Sequence, residues 1–374
     1  MDFDLVVVGG SFAGLVCART AAMRGLKVAV IDRRREPGTA VHTTGILVKE
    51  AADELDLPSD LVRRIHGVRL YAPSLASVDL AEPGYYFLAT DTARLLRWLA
   101  LDAAMAGARL CYGTSYRGAC YEDGGLRLRG IDCTTRYLIG ADGARSAVAR
   151  TFGLGVNCRF LQGVEAHLPL GAAPDSHLLH CFLNRRLAPG YIAWAVPGVE
   201  TIQIGLAARQ GVKPDLDAAL AMISRLVGAD TSTVLERRAG LIPCGGPVRP
   251  FATDRVLLVG DAAGLVSPLT GGGIYNAFRF GRRAAQAVSD HLLDGGPEPS
   301  KILAAEYPGY AVKQAMRRAM DHVVSDRLVD LSFRTPWLAA AARRVFFRPR
   351  GLWRGVNLAP AFRPSPVARV SRHI

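Results

Sequence analysis

Hydrophobic and polar positions alternate along this chain in blocks that predict its elements. The apolar run Leu5 to Val8 stops at Gly9-Gly10, an Ala-rich helical stretch follows from Gly14 to Arg24, and after Gly25 a second run spans Val28 to Ile31. That order is strand, tight turn, helix, strand, the βαβ unit of a parallel sheet. A second helical stretch, Thr92 to Ala106, ends at Gly107, and Arg109 to Tyr112, Leu126 to Arg129 and Arg136 to Ile139 read as short strands returning to that sheet. From Cys158 to about Arg249 the rhythm changes to strand-like segments separated by Gly171-Ala172-Ala173-Pro174, Pro189-Gly190 and Pro197-Gly198, with one helix near Leu216 to Val227. Val256 to Val259 resumes the buried-strand pattern, and helices are expected from Ile274 to Leu293 and from Ala304 onward. No internal repeat interrupts this plan.

These blocks predict an α/β chain. A Rossmann-like nucleotide-binding domain is assembled from 1–65, 88–157 and 250–300, and an α+β substrate lobe from 66–87 and 158–249 is inserted into it. A helical, basic region, 301–374, completes the chain. At 374 residues the sequence exceeds one ordinary domain, and 50% hydrophobic residues suffice for a sizeable core.

The chemistry begins at Gly9-Gly10-Ser11-Phe12-Ala13-Gly14, with Asp32 and Arg33 after the next strand. Gly9 permits the tight turn, and Gly14 lets the helix pack closely on the strand. The helix N-terminus then points amide N–H groups at a pyrophosphate. Asp32 stands where a carboxylate accepts ribose hydroxyls, and Ser11 replaces the middle glycine of the usual fingerprint with a side chain small enough for phosphate to approach. The strand before, helix after, second strand and terminal acid together make this a dinucleotide site rather than any glycine-rich turn.

A second constellation runs from Asp254 through Gly260-Asp261-Ala262-Ala263-Gly264 to Pro268-Leu269-Thr270-Gly271-Gly272-Gly273-Ile274. Here a strand delivers Asp261 to a turn where its carboxylate can accept from a ribityl hydroxyl. Gly272, Gly273 and Ile274 open a helix whose positive end can face a flavin ring. A strand-Gly-Asp turn alone is commonly structural; the N-terminal βαβ unit in the same chain gives it meaning.

With those two segments and Gly140-Ala141-Asp142-Gly143-Ala144-Arg145-Ser146, the chain resembles the flavoproteins that include geranylgeranyl reductases and single-component aromatic hydroxylases. The resemblance implies FAD as cofactor and a bracing role for Asp142 beside it. Aromatic hydroxylases usually carry His after the Gly-Asp-Ala-Ala turn; Gly264 and the following Pro-Leu-Thr-Gly-Gly-Gly-Ile are similar to the reductases instead. Those reductases also carry P-x-x-Y-x-W-x-F-P in the substrate lobe. Pro189-Gly190-Tyr191-Ile192-Ala193-Trp194-Ala195-Val196-Pro197 keeps both prolines and the tryptophan, with Ile192 and Val196 in place of the other two aromatics. Flavin-dependent halogenases need W-x-W-x-I-P, which Ile192 breaks, and a lysine beyond the first fingerprint, whereas no lysine lies between Lys49 and Lys213.

The resemblance therefore implies reduction of carbon–carbon double bonds in an apolar, isoprenoid- or polyene-like substrate. Tyr191, Trp194 and Thr44 are expected to line its pocket. Thr44, in the His42-Thr43-Thr44-Gly45-Ile46 loop, stands where the reductases often have cysteine. NAD(P)H or another electron donor has no readable site, and no catalytic acid, metal cluster, Ser-His-Asp triad or P-loop stands out. Two other readings stay open: an NAD(P)H-driven monooxygenase acting on an aromatic or polyketide substrate, and a flavin-bearing membrane-surface protein without turnover.

Charge adds one expectation. The formal net charge is +13, and after Asp330 nine arginines follow with no further acid. Interleaved with Trp337, Phe346, Phe347 and Trp353, they suit an anionic membrane surface, where each positive charge is worth about 1 kcal/mol; coding biased toward arginine over lysine would give the same excess. No nucleic-acid-binding motif accompanies the charge. The seven cysteines are odd in number and include no C-x-x-C pair, and neither a signal peptide nor a spanning segment is readable. The expected location is the cytoplasm, with peripheral attachment to the inner membrane face.

Overall fold

Four consecutive residues of the first strand, Leu5 to Val8, are buried, because strands pair with it on both edges and helices cover the sheet. The computed structural model describes residues 1–52, 55–131, 133–171, 175–322, 325–333 and 335–347. Within it, Phe3–Val8 pairs in parallel with Val28–Asp32 on one side and with Cys133–Gly140 on the other. Arg109–Tyr112 extends the sheet beyond Val28–Asp32. On its far side the eight-residue strand Cys133–Gly140 forks. Its first part pairs antiparallel with Gly125–Leu128, which continues to Ala119–Glu122, while Leu138 to Gly140 takes Val256–Leu258 in parallel. The residues after position 250 thus return to the N-terminal sheet, the discontinuity that the alternating pattern predicts.

Small residues decide how the helices lie on this sheet. A Cβ on Gly281, in the helix Ile274–Asp294, would overlap the Ala13 carbonyl oxygen of the helix Phe12–Met23. The two helices therefore cross with backbones nearly touching. Phe12 and Phe278 close the crossing edge to face, their ring centroids 5.4 Å apart.

The second sheet is also seven-stranded, in the order Glu236–Pro243, Phe160–Pro169, Thr201–Arg209, Ala193–Pro197, Leu178–Phe182, Gly67–Tyr71, Ser77–Ala81. Its side chains alternate as strand geometry requires. Ala166, Phe182, Ala193, Ile204 and Leu206 face the helix Leu216–Val227, while Leu161, Cys181, Trp194, Val196 and Ala207 form a separate cluster with Ile65, Phe87 and Phe347. A three-stranded sheet of Ile46–Val48, Phe87–Thr90 and Val62–Ile65 contributes to this second cluster; its short strands give no period long enough to read.

The C-terminal helices are Pro299–Glu306, Ala311–His322, Asp326–Ser332 and Pro336–Phe347, so helix begins five residues before the expected Ala304. One expectation for the basic region is corrected here. Phe347, foreseen at a membrane surface, is buried against Tyr85 and Phe87, with centroids 5.5 and 5.7 Å away. Arg334, Trp353 and the six arginines after Phe347 lie outside the described residues, as does the side chain of Trp337. No described helix is long and apolar enough to cross a membrane. No disulfide joins any of the seven cysteines, and burial pushes the thiols of Cys17 and Cys181 up to about 12, which leaves them unreactive.

Candidate functional site

The turn after the first strand is held open by glycine where nothing else fits. Gly9 has φ +111°, and a Cβ at Gly14 would overlap the Gly9 carbonyl oxygen. The helix that follows starts at Ser11, whose side chain makes no capping hydrogen bond, and its first turn contains no acid. Its leading amides are therefore free to donate to an anion.

Asp32, 6% exposed, accepts from the Gly10 amide at 2.6 Å and the Arg34 amide at 2.8 Å. The Arg34 guanidinium adds hydrogen bonds at 3.1 and 3.0 Å. Arg33, singled out from sequence, is exposed, and its neighbour Arg34 is the one that folds onto Asp32. Tyr112 also escaped sequence reading: it lies beside Asp32 in register, and its hydroxyl lies next to Gly10. Burial, then the Asp32 charge, pushes that phenol up to about 12, so it stays neutral.

The second motif arrives at the same place. Val256–Leu258 leads into a short 3-10 turn, Gly260–Ala263, closed by Gly264 at φ +68°. A Cβ on Gly260 would stand 3.0 Å from Ala13 Cβ, and one on Gly273 would stand 3.4 Å from Asp261 Oδ1. Phe12, Ala13, Gly260, Asp261 and Gly273 thus converge, although some 250 residues separate the two motifs. Burial raises the Asp261 carboxyl to about 6. Gly273 begins the helix to Asp294 without a side-chain cap, so Gly272, Gly273 and Ile274 present a second open helix end.

Asp142 accepts from the amides of Ala147 at 2.6 Å and Val148 at 3.1 Å, which caps the helix Ala147–Thr151. Its other oxygen is buried without a partner, as is Asn157 Oδ1; the Asn157 amide nitrogen donates to the Asp261 carbonyl at 2.8 Å. Two uncapped helix ends, an unpaired carboxylate oxygen and a carboxyl uncomfortable in its surroundings fit a ligand that combines a diphosphate with hydroxyl groups, as FAD does.

The residues expected to meet substrate are gathered by the second sheet. Trp194 is 8% exposed, and its indole nitrogen has no partner. It lies flat across Gly205, where a Cβ would stand 2.7 Å from both the indole and Glu165 Cβ. Glu165 in turn accepts from the Thr44 hydroxyl at 2.6 Å and meets His167 Nε2 at 3.2 Å, which ties the loop around Thr44 to the second sheet. Tyr191 belongs to the same apolar cluster, and its hydroxyl donates to the Thr270 carbonyl at 2.5 Å. The substrate sheet is thereby tied to the loop of the second motif. Thr44, Tyr191 and Trp194 were named from the sequence; Glu165, which touches Thr44, its partner His167, and Gly205 against Trp194 were not. A buried acid inside an alternating strand, Val164-Glu165-Ala166-His167, was the signal available.

His42 is exposed and bonds the Ala239 carbonyl, as a loop histidine would.

Comparison with known proteins agrees with FAD as the ligand. The FAD binding domain family matches residues 2–279. A digeranylgeranylglycerophospholipid reductase of Methanothrix thermoacetophila is 31% identical over 326 residues, covering 82% of each chain. A second enzyme of that name, from Methanothermobacter thermautotrophicus, is 30% identical over 79% of this chain and 81% of its own. Among solved structures, a geranylgeranyl bacteriochlorophyll reductase-like protein of Thermoplasma acidophilum superposes with a TM-score of 0.78 at 23% identity, covering 92% of this chain and 96% of that one. Aklavinone-11 hydroxylase with FAD and aklavinone reaches 0.67 at 19% identity, covering 87% and 71%.

Proposed function

Because the chain belongs to the geranylgeranyl reductase family of FAD-dependent oxidoreductases, we propose that it saturates carbon–carbon double bonds of an isoprenoid lipid. The observation that carries this reading is the apolar face around Trp194 and Tyr191, coupled through the Tyr191–Thr270 hydrogen bond to the loop of the second flavin motif. An alkene chain needs an apolar surface of this kind beside the cofactor.

The residues divide the work as follows. Gly9, Ser11, Phe12, Ala13 and Gly14 receive the diphosphate, Asp32 and Arg33 the ribose side, and Asp142, Gly260 and Asp261 the ribityl side. Gly272, Gly273 and Ile274 direct a positive helix end at the ring. Bound FAD, once reduced by NAD(P)H or another donor, supplies the hydride. Thr44, Glu165 and His167 form the hydrogen-bonded chain that we assign to proton transfer, the Thr44 hydroxyl donating to Glu165 and Glu165 meeting His167. The six arginines beyond Phe347 add attachment to an anionic membrane surface, where the lipid resides.

Anaerobic incubation of dithionite-reduced holoprotein with geranylgeranyl lipids tests the reading. Flavin absorbance should return as the lipid gains one hydrogen pair for each bond saturated. If the flavin stays reduced with every prenyl lipid, and air then gives a hydroxylated product, the monooxygenase reading replaces this one.

A further inference from the structure

Beside the apolar cluster of Trp194 and Tyr191, the segment after Glu236–Pro243 and the helix Ala311–His322 enclose a cleft of about 130 Å³ lined by Arg159, Cys244, Gly245, Gln314, Arg317 and Arg318. Gln314, Arg317 and Arg318 are three and four residues apart and so share one helix face. Gln314 Nε2 donates to the Gly245 carbonyl at 2.5 Å and pins that face over the cleft.

Arg317 is the unusual member. It is 2% exposed, yet only Nη2 has a partner, Asp321 Oδ1 at 2.8 Å; Nε and Nη1 are buried without one. A guanidinium stays charged under all ordinary conditions, and burying one with unmet donors is costly. Cys244 does not compensate, because burial pushes its thiol up and keeps it neutral. Three guanidinium groups thus meet one nearby carboxylate.

We propose that this cleft is an anion subsite that takes a phosphate group, Arg317 donating through its unpaired Nε and Nη1. Arginine pairs with phosphate in this two-pronged way, and Arg159 and Arg318 add charge from the rim. The volume is well under the roughly 300–1,000 Å³ of pockets that enclose a whole ligand, so the cleft holds an end group rather than a nucleotide. Arg317 also lies over the Tyr191 ring, 5.8 Å from its centroid, which places the anion at the edge of the apolar face. A phosphorylated isoprenoid could then seat its head here and its tail along Trp194. That link to a lipid rests on the reductase reading, whereas the anion site does not.

Calorimetric titration of FAD-loaded, full-length protein with geranylgeranyl monophosphate, geranylgeraniol and inorganic phosphate tests the site. The monophosphate should bind about tenfold or more tighter than the alcohol, the scale of one charge-assisted contact. The gap should shrink in Arg317→Met and in the double variant Arg159→Gln/Arg318→Gln. Those last two positions are exposed, so the double variant decides the matter if Arg317→Met does not fold. Inorganic phosphate competing as strongly as the lipid phosphate supports the site with free phosphate as its ligand, and competition only at far higher concentration supports it with a lipid headgroup. Equal affinity of wild-type protein for alcohol and monophosphate overturns the proposal, as does a gap unchanged in the double variant. A persistent gap without alkene reduction upholds the site and sinks the reductase reading.

Discussion

Asp261 shows how one side chain couples folding to cofactor uptake. Burial lifts its carboxyl to about 6 from an ordinary 3.8, so between those values the folded, cofactor-free protein binds more protons than the unfolded chain. The contribution of this one group to stability is then fully present below about pH 4 and is lost as pH rises through 6, about 3 kcal/mol in all. A ribityl hydroxyl donating to the carboxylate reverses the shift, so FAD should bind more tightly at pH 7 than at pH 5, and Asp261→Asn should flatten the difference. Fluorescence titration of FAD at the two pH values measures it. Gly14→Ala should act more bluntly, since its Cβ meets the Gly9 carbonyl. Overpacking of this kind costs about 1–3 kcal/mol, and the protein should purify with little absorbance near 450 nm, a wavelength at which only the flavin absorbs. Both residues were legible in the sequence because backbone geometry dictates glycine and acid there. Arg34 was not, since nothing local distinguishes it from Arg33 before the strand end fixes which side chain folds inward.

At the scale of elements, the same two helices that frame the site do so by lacking side-chain caps and first-turn acids; the missing acids are read in the sequence directly, but Ser11 is a residue that ordinarily caps, and only the structure shows its bond unmade. The substrate sheet was legible as strands but not as a surface. Which side chains share a face depends on register, as in Trp194 opposite Gly205 on the next strand and Glu165 opposite the same Gly205 from a strand forty residues earlier. Glu165→Gln tests the assigned proton chain. Flavin content should be unchanged, while kcat for alkene reduction falls about 100-fold, the lower range for loss of an acid–base group. A fall in melting temperature with kcat preserved would reduce Glu165 to a packing role. The strands Ile46–Val48 and Val62–Ile65 were invisible beforehand because three or four residues carry too little periodicity.

For the whole molecule, the basic region divides at Phe347. Chains cut after Asp330 lose Phe333, Phe346 and Phe347, all packed on the substrate lobe, and should melt at lower temperature, since removing one buried phenylalanine costs about 3 kcal/mol or more. Chains cut after Phe347 should sediment less with anionic vesicles, having lost six arginines. The discontinuous plan was readable because the Val256 strand is apolar on both faces; the inward turn of Phe347 was not, as arginines surround it in the sequence.

The near contact of Ala13 with Gly281 carries a consequence for biosynthesis. A ribosome has released the nucleotide fingerprint long before it makes the helix Ile274–Asp294 that completes the cradle. Nascent chains arrested before that helix emerges should remain colourless, and the vitamin-derived prosthetic group enters as one of the last events of maturation.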